Sequence, residues 1–162
     1  MTDPTPPYIS ARKPIHHTVP FNGASIYTTF WPVPEGQQIK GRLIYIHGFS
    51  EYHALDVMFF DRISNQGYEV FTYDQRGAGL TSTGADKGIS NEFHVFNDLD
   101  FIIERNIEEL KGTNRKLHLF GFSMGGGIVL NYGVKGRYKD SFETIIAIGS
   151  VISVDVSYFQ LI

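Results

Sequence analysis

The 162 residues predict an α/β fold: a mostly parallel sheet with helices on both faces and a β-hairpin at its amino-terminal side. Three observations carry that prediction. Strand-like runs at 43–46, 68–73, 117–120 and 144–148 alternate with longer stretches of helical periodicity, an order that forces parallel pairing through right-handed crossovers. The run at 43–46 is continuously apolar, as a strand covered on both faces is. Asn22-Gly23 lies between two β-prone runs, the strongest short hairpin signal.

Residues 1–14 hold four of the seven prolines and little apolar periodicity, so they read as a loose arm or one ordered on contact. Runs at 17–21 and 24–31 form the hairpin, which Pro32, Pro34 and Gly36 end. After the strand at 43–46 the chain turns at His47-Gly48. Residues 54–66 then place Leu55, Phe59 (with Met58) and Ile63 at helical spacing, with Gly67 as the stop. The strand at 68–73 ends in Asp-Gln-Arg-Gly-Ala-Gly at 74–79, and 80–90 is a polar, glycine-containing loop. From 91 to 110, Phe93, Phe96, Leu99, Ile103, Ile107 and Leu110 mark a long amphipathic helix, capped by Ser90 or Asn91 and closed by Gly112. The strand at 117–120 runs into a third helix ending near Val134, and 144–148 is another buried strand. The expected organisation is an arm at 1–14, one domain at 15–150 and a divergent tail at 151–162.

Hydrophobic residues at 42% and charged residues at 19% describe a globular chain. A formal charge of -3 without charged blocks gives no electrostatic footprint for nucleic acid. With no cysteine, disulfides, a thiol nucleophile and thiolate metal sites are excluded. The first residues lack the basic start and apolar run of a signal peptide, and no apolar stretch is long enough to span a bilayer. The expectation is a soluble intracellular chain.

The chemistry concentrates at 117–127. The apolar strand stops at Gly121, Ser123 follows alone, and Gly125, Gly126 and Gly127 open the next helix. This is G-x-S-x-G in its strand–turn–helix context, the signature of a nucleophile elbow. The apex serine is expected in a strained backbone conformation with φ > 0, and the glycines two residues either side carry no Cβ to clash. Ser123 Oγ then stands clear of the sheet, while the Met124 N–H points to where an oxyanion would form at a helix N-terminus. The glycines do not fall as G-x-G-x-x-G, and no phosphate loop ending in Lys-Ser or Lys-Thr is present.

His47-Gly48-Phe49, Asp-Gln-Arg-Gly-Ala-Gly at 74–79 and Gly-Phe-Ser-Met-Gly-Gly at 121–126 stand in the order that resembles the α/β-hydrolase superfamily. More narrowly they resemble its monoacylglycerol lipase branch of serine aminopeptidase-type hydrolases, and its fungal members in particular, through residues 73–79 and Glu-Phe-His-Val-Phe-Asn-Asp-Leu at 92–99. The likeness covers roughly residues 15–150. It implies a serine ester hydrolase acting on acylglycerols or other esters, with Ser123 as the acyl-accepting nucleophile and the Met124 and Phe49 backbone N–H groups as the oxyanion hole. It implies no cofactor, a cytoplasmic chain, and peripheral contact with a lipid droplet or the endoplasmic reticulum membrane.

The departures from that family are equally specific. Its triad partners follow the serine as acid, then histidine, yet the six histidines (His16, His17, His47, His53, His94, His118) all precede Ser123. His118 reads as a packed strand residue, His47 as locally hydrogen-bonded beneath the oxyanion loop, and His94 as a brace for the 74–79 loop. His16, His17 and His53 read as surface residues. No histidine pair shows carboxylate-supported metal spacing, so no metal is expected. Asp155 is a candidate acid on chain position alone. Asp74 and Arg76 read as a structural turn, Asp capping backbone N–H groups and Arg tying the loop to neighbouring oxygens. The last twelve residues depart from the family's run into a cap, as a premature stop, a misread splice boundary or an expressed fragment would. The expected chain is thus the N-terminal, nucleophile half of a hydrolase domain, with an uncovered and self-association-prone strand edge at 144–154. Two functional readings follow: a serine ester hydrolase lacking its base, or a catalytically dead hydrolase-fold module that binds a lipid or a protein partner.

Overall fold

The computed structural model describes residues 8–152. Its six-stranded sheet has the order β1-β2-β4-β3-β5-β6, with β1 at Ile15–Phe21, β2 at Ala24–Trp31, β3 at Gly41–Ile46, β4 at Tyr68–Tyr73, β5 at Lys116–Phe122 and β6 at Thr144–Ile148. The β3–β4, β3–β5 and β5–β6 pairs are parallel. The hairpin is antiparallel within itself and joins the sheet antiparallel along β4. At its tip Asn22 and Gly23 both have positive φ, 50° and 79°, the pair of left-handed residues a type I′ turn requires.

Among the described residues three α-helices cover the sheet: α1 at Val57–Asn65, α2 at Glu92–Leu110 and α3 at Met124–Lys135. Strand periodicity sorts the side chains between faces. Ile44, Ile46, Leu117 and Leu119 pack with Leu99, Ile102 and Ile103 of α2 and Val129 of α3. On the other face Leu43, Tyr45, Val70 and Phe120 pack with Trp31 and with Phe60 of α1. Among the described residues one helix serves that second face, and the sheet beyond it is uncovered by them. An apolar groove of about 320 Å³ runs between Phe59, Ile63, His118, Phe120, Thr144 and Ile146, and Ile148 beside it is half exposed.

Helix α2 starts where expected, with the Asn91 side chain accepting the His94 N–H, and Gly112 takes positive φ just beyond its end. Helix α1 differs. Residues 54–56 belong to a turn, Leu55 is exposed, and the buried stripe is Phe60, Asp61 and Ser64. Phe59 and Ile63 pack, partly buried, against the core as expected, and Asp61 beside them is a hydrogen-bonding hub. Its carboxylate accepts from Tyr8 Oη, Ser10 Oγ, the Ala11 N–H and Trp31 Nε1, while Ser64 Oγ donates to Pro32 O. Residues 8–12 of the arm are therefore pinned to α1 rather than loose.

A second polar hub joins the hairpin to α2. Arg76 makes a bidentate pair with Asp98 (2.7 and 2.9 Å) and donates to the carbonyls of Phe21 and Asn22. Asp98 is 2% exposed, so removing the guanidinium alone strands a buried carboxylate. Arg76→Ala is expected to destabilise the fold by about 3–5 kcal/mol, measured by urea denaturation, and Arg76→Met combined with Asp98→Leu is expected to recover most of that loss.

Candidate active site

At the junction of β5 and α3, Ser123 has φ 53° and ψ −118°, a conformation that costs about 1–3 kcal/mol for a residue with a Cβ. The surrounding backbone holds it there. The Ser123 N–H donates to Ile148 O at 2.9 Å, and its carbonyl accepts from the Gly127 and Val151 N–H groups. The Ser123 side chain makes no capping bond to α3, which leaves its hydroxyl uncommitted.

Close approach explains the glycines. A Cβ on Gly121 would overlap the Gly125 carbonyl, and one on Gly125 would overlap the Ile46 carbonyl at the end of β3. Gly126 and Gly127 meet Ser150 and Val151, which follow β6. The first turn of α3 is thus wedged between the carboxyl ends of three strands.

The same wedge brings the loop after β3 to the serine. A Cβ on Gly48 would lie 3.1 Å from Ser123 Cβ. The Gly48 N–H donates to Glu51 Oε2 at 2.6 Å, Ser50 takes positive φ at 58°, and the Phe49 ring projects into solvent, 78% exposed. Neither the Phe49 nor the Met124 N–H has a hydrogen-bond acceptor among the described residues. One hydroxyl and two free N–H groups from adjoining segments are the parts of an acyl-transfer site.

The 74–79 turn has the character expected of it. Asp74 is fully buried and accepts from the Leu80 and His53 N–H groups, both at 2.7 Å. Arg76 ties the turn to carbonyls and to Asp98 as described.

Sequence reading missed His53. Rather than a surface residue, it is 9% exposed, and its Nδ1 lies 3.0 Å from both Asp74 oxygens with Tyr27 and Tyr52 around the ring. No local signal marks it, because the partner lies 21 residues on, in a different loop. Burial alone would raise the Asp74 carboxyl, but the His53 side chain and the Leu80 and His53 N–H groups outweigh it and hold the carboxyl below its ordinary range.

His94 is also placed differently. Its Nδ1 is buried without a partner, and the bracing of the 74–79 loop falls to Arg76 and Asp98, one turn further along α2. His47 is bonded beneath the oxyanion loop, Nδ1 to Gly48 O and Nε2 to the Gln75 N–H. His118 packs edge-on against Tyr68; burial lowers its pKa. His16 stacks on Tyr27 and bonds Thr29, and His17 is exposed. None of the six is hydrogen-bonded to Ser123. Asp155 lies outside the described residues. Among the described residues no group of three His, Asp or Glu side chains could hold a metal, and no helix is long and apolar enough to cross a membrane.

Comparison with known proteins bears on the same residues. Residues 37–162 match the family described as serine aminopeptidase, S33. The chain is 46% identical over 133 residues to the monoglyceride lipase of Saccharomyces cerevisiae, covering 82% of this chain and 42% of that one. It is 35% identical over 127 residues to a putative monoglyceride lipase of Schizosaccharomyces pombe, covering 76% and 32%. In structure it is similar to a soluble variant of the S. cerevisiae monoglyceride lipase crystallised with a substrate analog. That match has a TM-score of 0.89 at 40% identity over 98% of this chain and 52% of the other. A thermostable carboxyl esterase from Bacillus coagulans, at 18% identity and TM-score 0.67 over 85% and 44%, shares the fold. The chain spans less than half the length of the curated relatives it matches.

Two outcomes follow from the geometry. Ser123→Gly, which relieves the positive φ, is expected to raise stability by about 0.5–2 kcal/mol, whereas Ser123→Ala keeps the strain and gains nothing; thermal unfolding of both variants checks this. The depressed Asp74 carboxyl contributes stability that is full above the ordinary Asp range and is lost as pH falls through the lowered value. In urea titrations across the acid range, Asp74→Asn is expected to be less stable at neutral pH and to lose less on acidification.

Proposed function

Since the chain belongs to the serine aminopeptidase S33 family of α/β-hydrolases, we propose that it carries the nucleophile of a serine ester hydrolase acting on acylglycerols. The observation that supports this best is the strained apex at Ser123 with Gly48 against it. Ser123 Oγ attacks the ester carbonyl, its proton passes to a base, and the carbonyl oxygen becomes an oxyanion that the Met124 and Phe49 N–H groups stabilise. Each such donor is worth about 2.7–4 kcal/mol of barrier. Collapse breaks the bond to the alcohol, which leaves with a proton, and water then cleaves the acyl-serine to release the acid. No cofactor enters. Acylglycerol as the substrate rests on the two yeast relatives, and Asp155 as the acid rests on chain position.

The base is the weak part of the constellation. No histidine follows His118 in the 162 residues, and His47 and His53 are bonded to Gly48, Gln75 and Asp74. The reading therefore gives this polypeptide a nucleophile and an oxyanion hole without a partner to deprotonate the serine. The second reading, a non-catalytic module holding a lipid or a protein, is supported by the apolar groove that the described residues leave open on β5 and β6. Peripheral contact of a cytoplasmic chain with a lipid droplet or the endoplasmic reticulum would use the apolar side chains exposed at the Ser123 edge, among them Phe49, Leu80 and Ile152. Pairing between copies would use the outer edge of β6.

Purified as these 162 residues, the chain is expected to hydrolyse a short p-nitrophenyl ester at no more than about 10³–10⁴ times the uncatalysed rate, the residue left to an oxyanion hole without its triad. Ser123→Ala is expected to leave that residual rate nearly unchanged, since it owes nothing to the serine. A fluorophosphonate adduct at Ser123, located by mass spectrometry, supports the hydrolase reading, and no adduct favours the binding module. Fast turnover that depends on Ser123 would mean that a base has been overlooked.

A further inference from the structure

The functional reading leaves His47 without a part in the reaction, yet it is 1% exposed and sits directly before the loop that faces Ser123. Each of its ring nitrogens has its shortest contact with a backbone atom, whose role is fixed; Nδ1 also lies 3.3 Å from the Gln75 side-chain nitrogen, a longer contact than its bond to Gly48 O. The Gln75 N–H lies 3.0 Å from Nε2 and can only donate, so Nε2 must carry a lone pair. The Gly48 carbonyl oxygen lies 2.8 Å from Nδ1 and can only accept, so Nδ1 must carry the proton. The Gln75 side chain closes the arrangement by donating to the His47 carbonyl at 2.9 Å. The ring is therefore a single tautomer, set by the backbone of the neighbouring loop.

The carbonyl it binds matters more than the bond itself. Gly48 C=O and Phe49 N–H belong to one planar, trans peptide unit and point in opposite directions. Fixing the oxygen fixes the direction of the N–H, and a donor to the oxygen also polarises that N–H. On the other side of Gly48, its own N–H is held by Glu51, so the peptide cannot rotate at either end without breaking a bond.

We propose that His47, locked as its Nδ1–H tautomer by the Gln75 N–H, is a positioning residue that aims the Phe49 N–H at the oxyanion formed on Ser123. The proposal rests on the hydrolase reading for what the N–H is aimed at; the orientation of the peptide stands by itself. Burial pushes the His47 imidazole down, against the raising influence of the Gly48 carbonyl and of Asp74, Glu51 and Asp56. The neutral ring this favours is the one the site needs, because a proton on Nε2 would confront the Gln75 N–H.

The test compares two substitutions that split the ring. His47→Asn places an amide N–H near the Nδ1 position, and His47→Gln reaches toward the Nε2 position and takes the imidazole donor from Gly48 O, which keeps only the longer 3.3 Å bond from the Glu51 N–H. In the wild-type chain, ¹⁵N spectra of the imidazole are expected to show Nδ1 protonated and Nε2 accepting; the opposite tautomer overturns the proposal. The Gly48 carbonyl ¹³C and Phe49 amide ¹⁵N resonances are expected to move in His47→Gln and to stay near wild type in His47→Asn. Affinity for an alkyl boronic acid, which forms a tetrahedral anionic adduct with a serine hydroxyl, is expected to fall about tenfold or more in His47→Gln, one hydrogen bond's worth, and less than about threefold in His47→Asn. Equal spectra and equal affinity in the two variants would reduce His47 to packing and overturn the proposal. A wild-type chain that forms no boronate adduct but shows the expected resonances would sink the hydrolase reading and leave the positioning of the peptide intact.

Discussion

The structure turns on a contact that leaves no room for a side chain: the first turn of α3 seated against the carbonyl of Ile46. A methyl group at position 125 would push the helix off the end of β3, and one at position 121 would collide with the helix from the strand behind it. Because both positions are glycine, the chain can reverse from β5 into α3 within a single residue. That residue takes the strained conformation, and its hydroxyl is presented beside the loop that follows β3. Local geometry here is dictated by packing, since Ser123 has no conformational preference for a φ of 53° and is held there by its bonds to Ile148, Gly127 and Val151 and by the glycine contacts on either side.

Around this wedge the fold uses buried polar hubs where apolar contacts would not fix direction. Asp74 gathers N–H groups from two loops, Arg76 joins the hairpin tip to α2, and Asp61 holds the arm and Trp31 on α1. A buried ion pair adds little net stability over a well-packed apolar pair, but leaving one member unpaired is expensive. Such hubs therefore discriminate strongly between the native arrangement of loops and any other. The loops at the carboxyl edge of the sheet depend on that discrimination, since loops carry few apolar contacts of their own.

What could be read from the sequence was whatever is encoded locally. Asn22-Gly23 demands two left-handed residues, the spacing of 91–110 is helical throughout, and G-x-S-x-G is a steric statement about five consecutive positions. Each appears in the fold where the residues put it, and the turn at Asp74 and Arg76 plays the structural part its residue types suggested. The misreadings arose where a partner distant in sequence decides. His53 looked like a surface histidine because nothing near it in sequence is Asp74. Of the α1 stripe read as Leu55, Phe59 and Ile63, the last two pack against the core and Leu55 is exposed, while Phe60, Asp61 and Ser64 are buried more deeply because the arm, Trp31 and Pro32 supply hydrogen-bond partners there. His94 was placed on the right turn of the right helix and given a task that Asp98, four residues later, performs with a full charge.

The position of β6 ties the site to the least protected part of the sheet. Ser123 is held in its strained conformation by Ile148 O and the Val151 N–H, and Gly126 and Gly127 face Ser150 and Val151. Among the described residues those atoms belong to an edge strand of five residues and its exit, with the strand's side chains at 144, 146 and 148 exposed. Edge elements with few buried contacts open at lower free energy than the centre of a sheet, and the strain at Ser123 favours any opening that releases it. The apex is thus gripped firmly on its β3 side, where Gly125 meets a fully buried strand, and lightly on its β6 side. Whatever covers the outer edge of β6 would tighten the lighter grip, and the order of the nucleophile would follow the state of that edge through the backbone bonds to Ile148 and Val151.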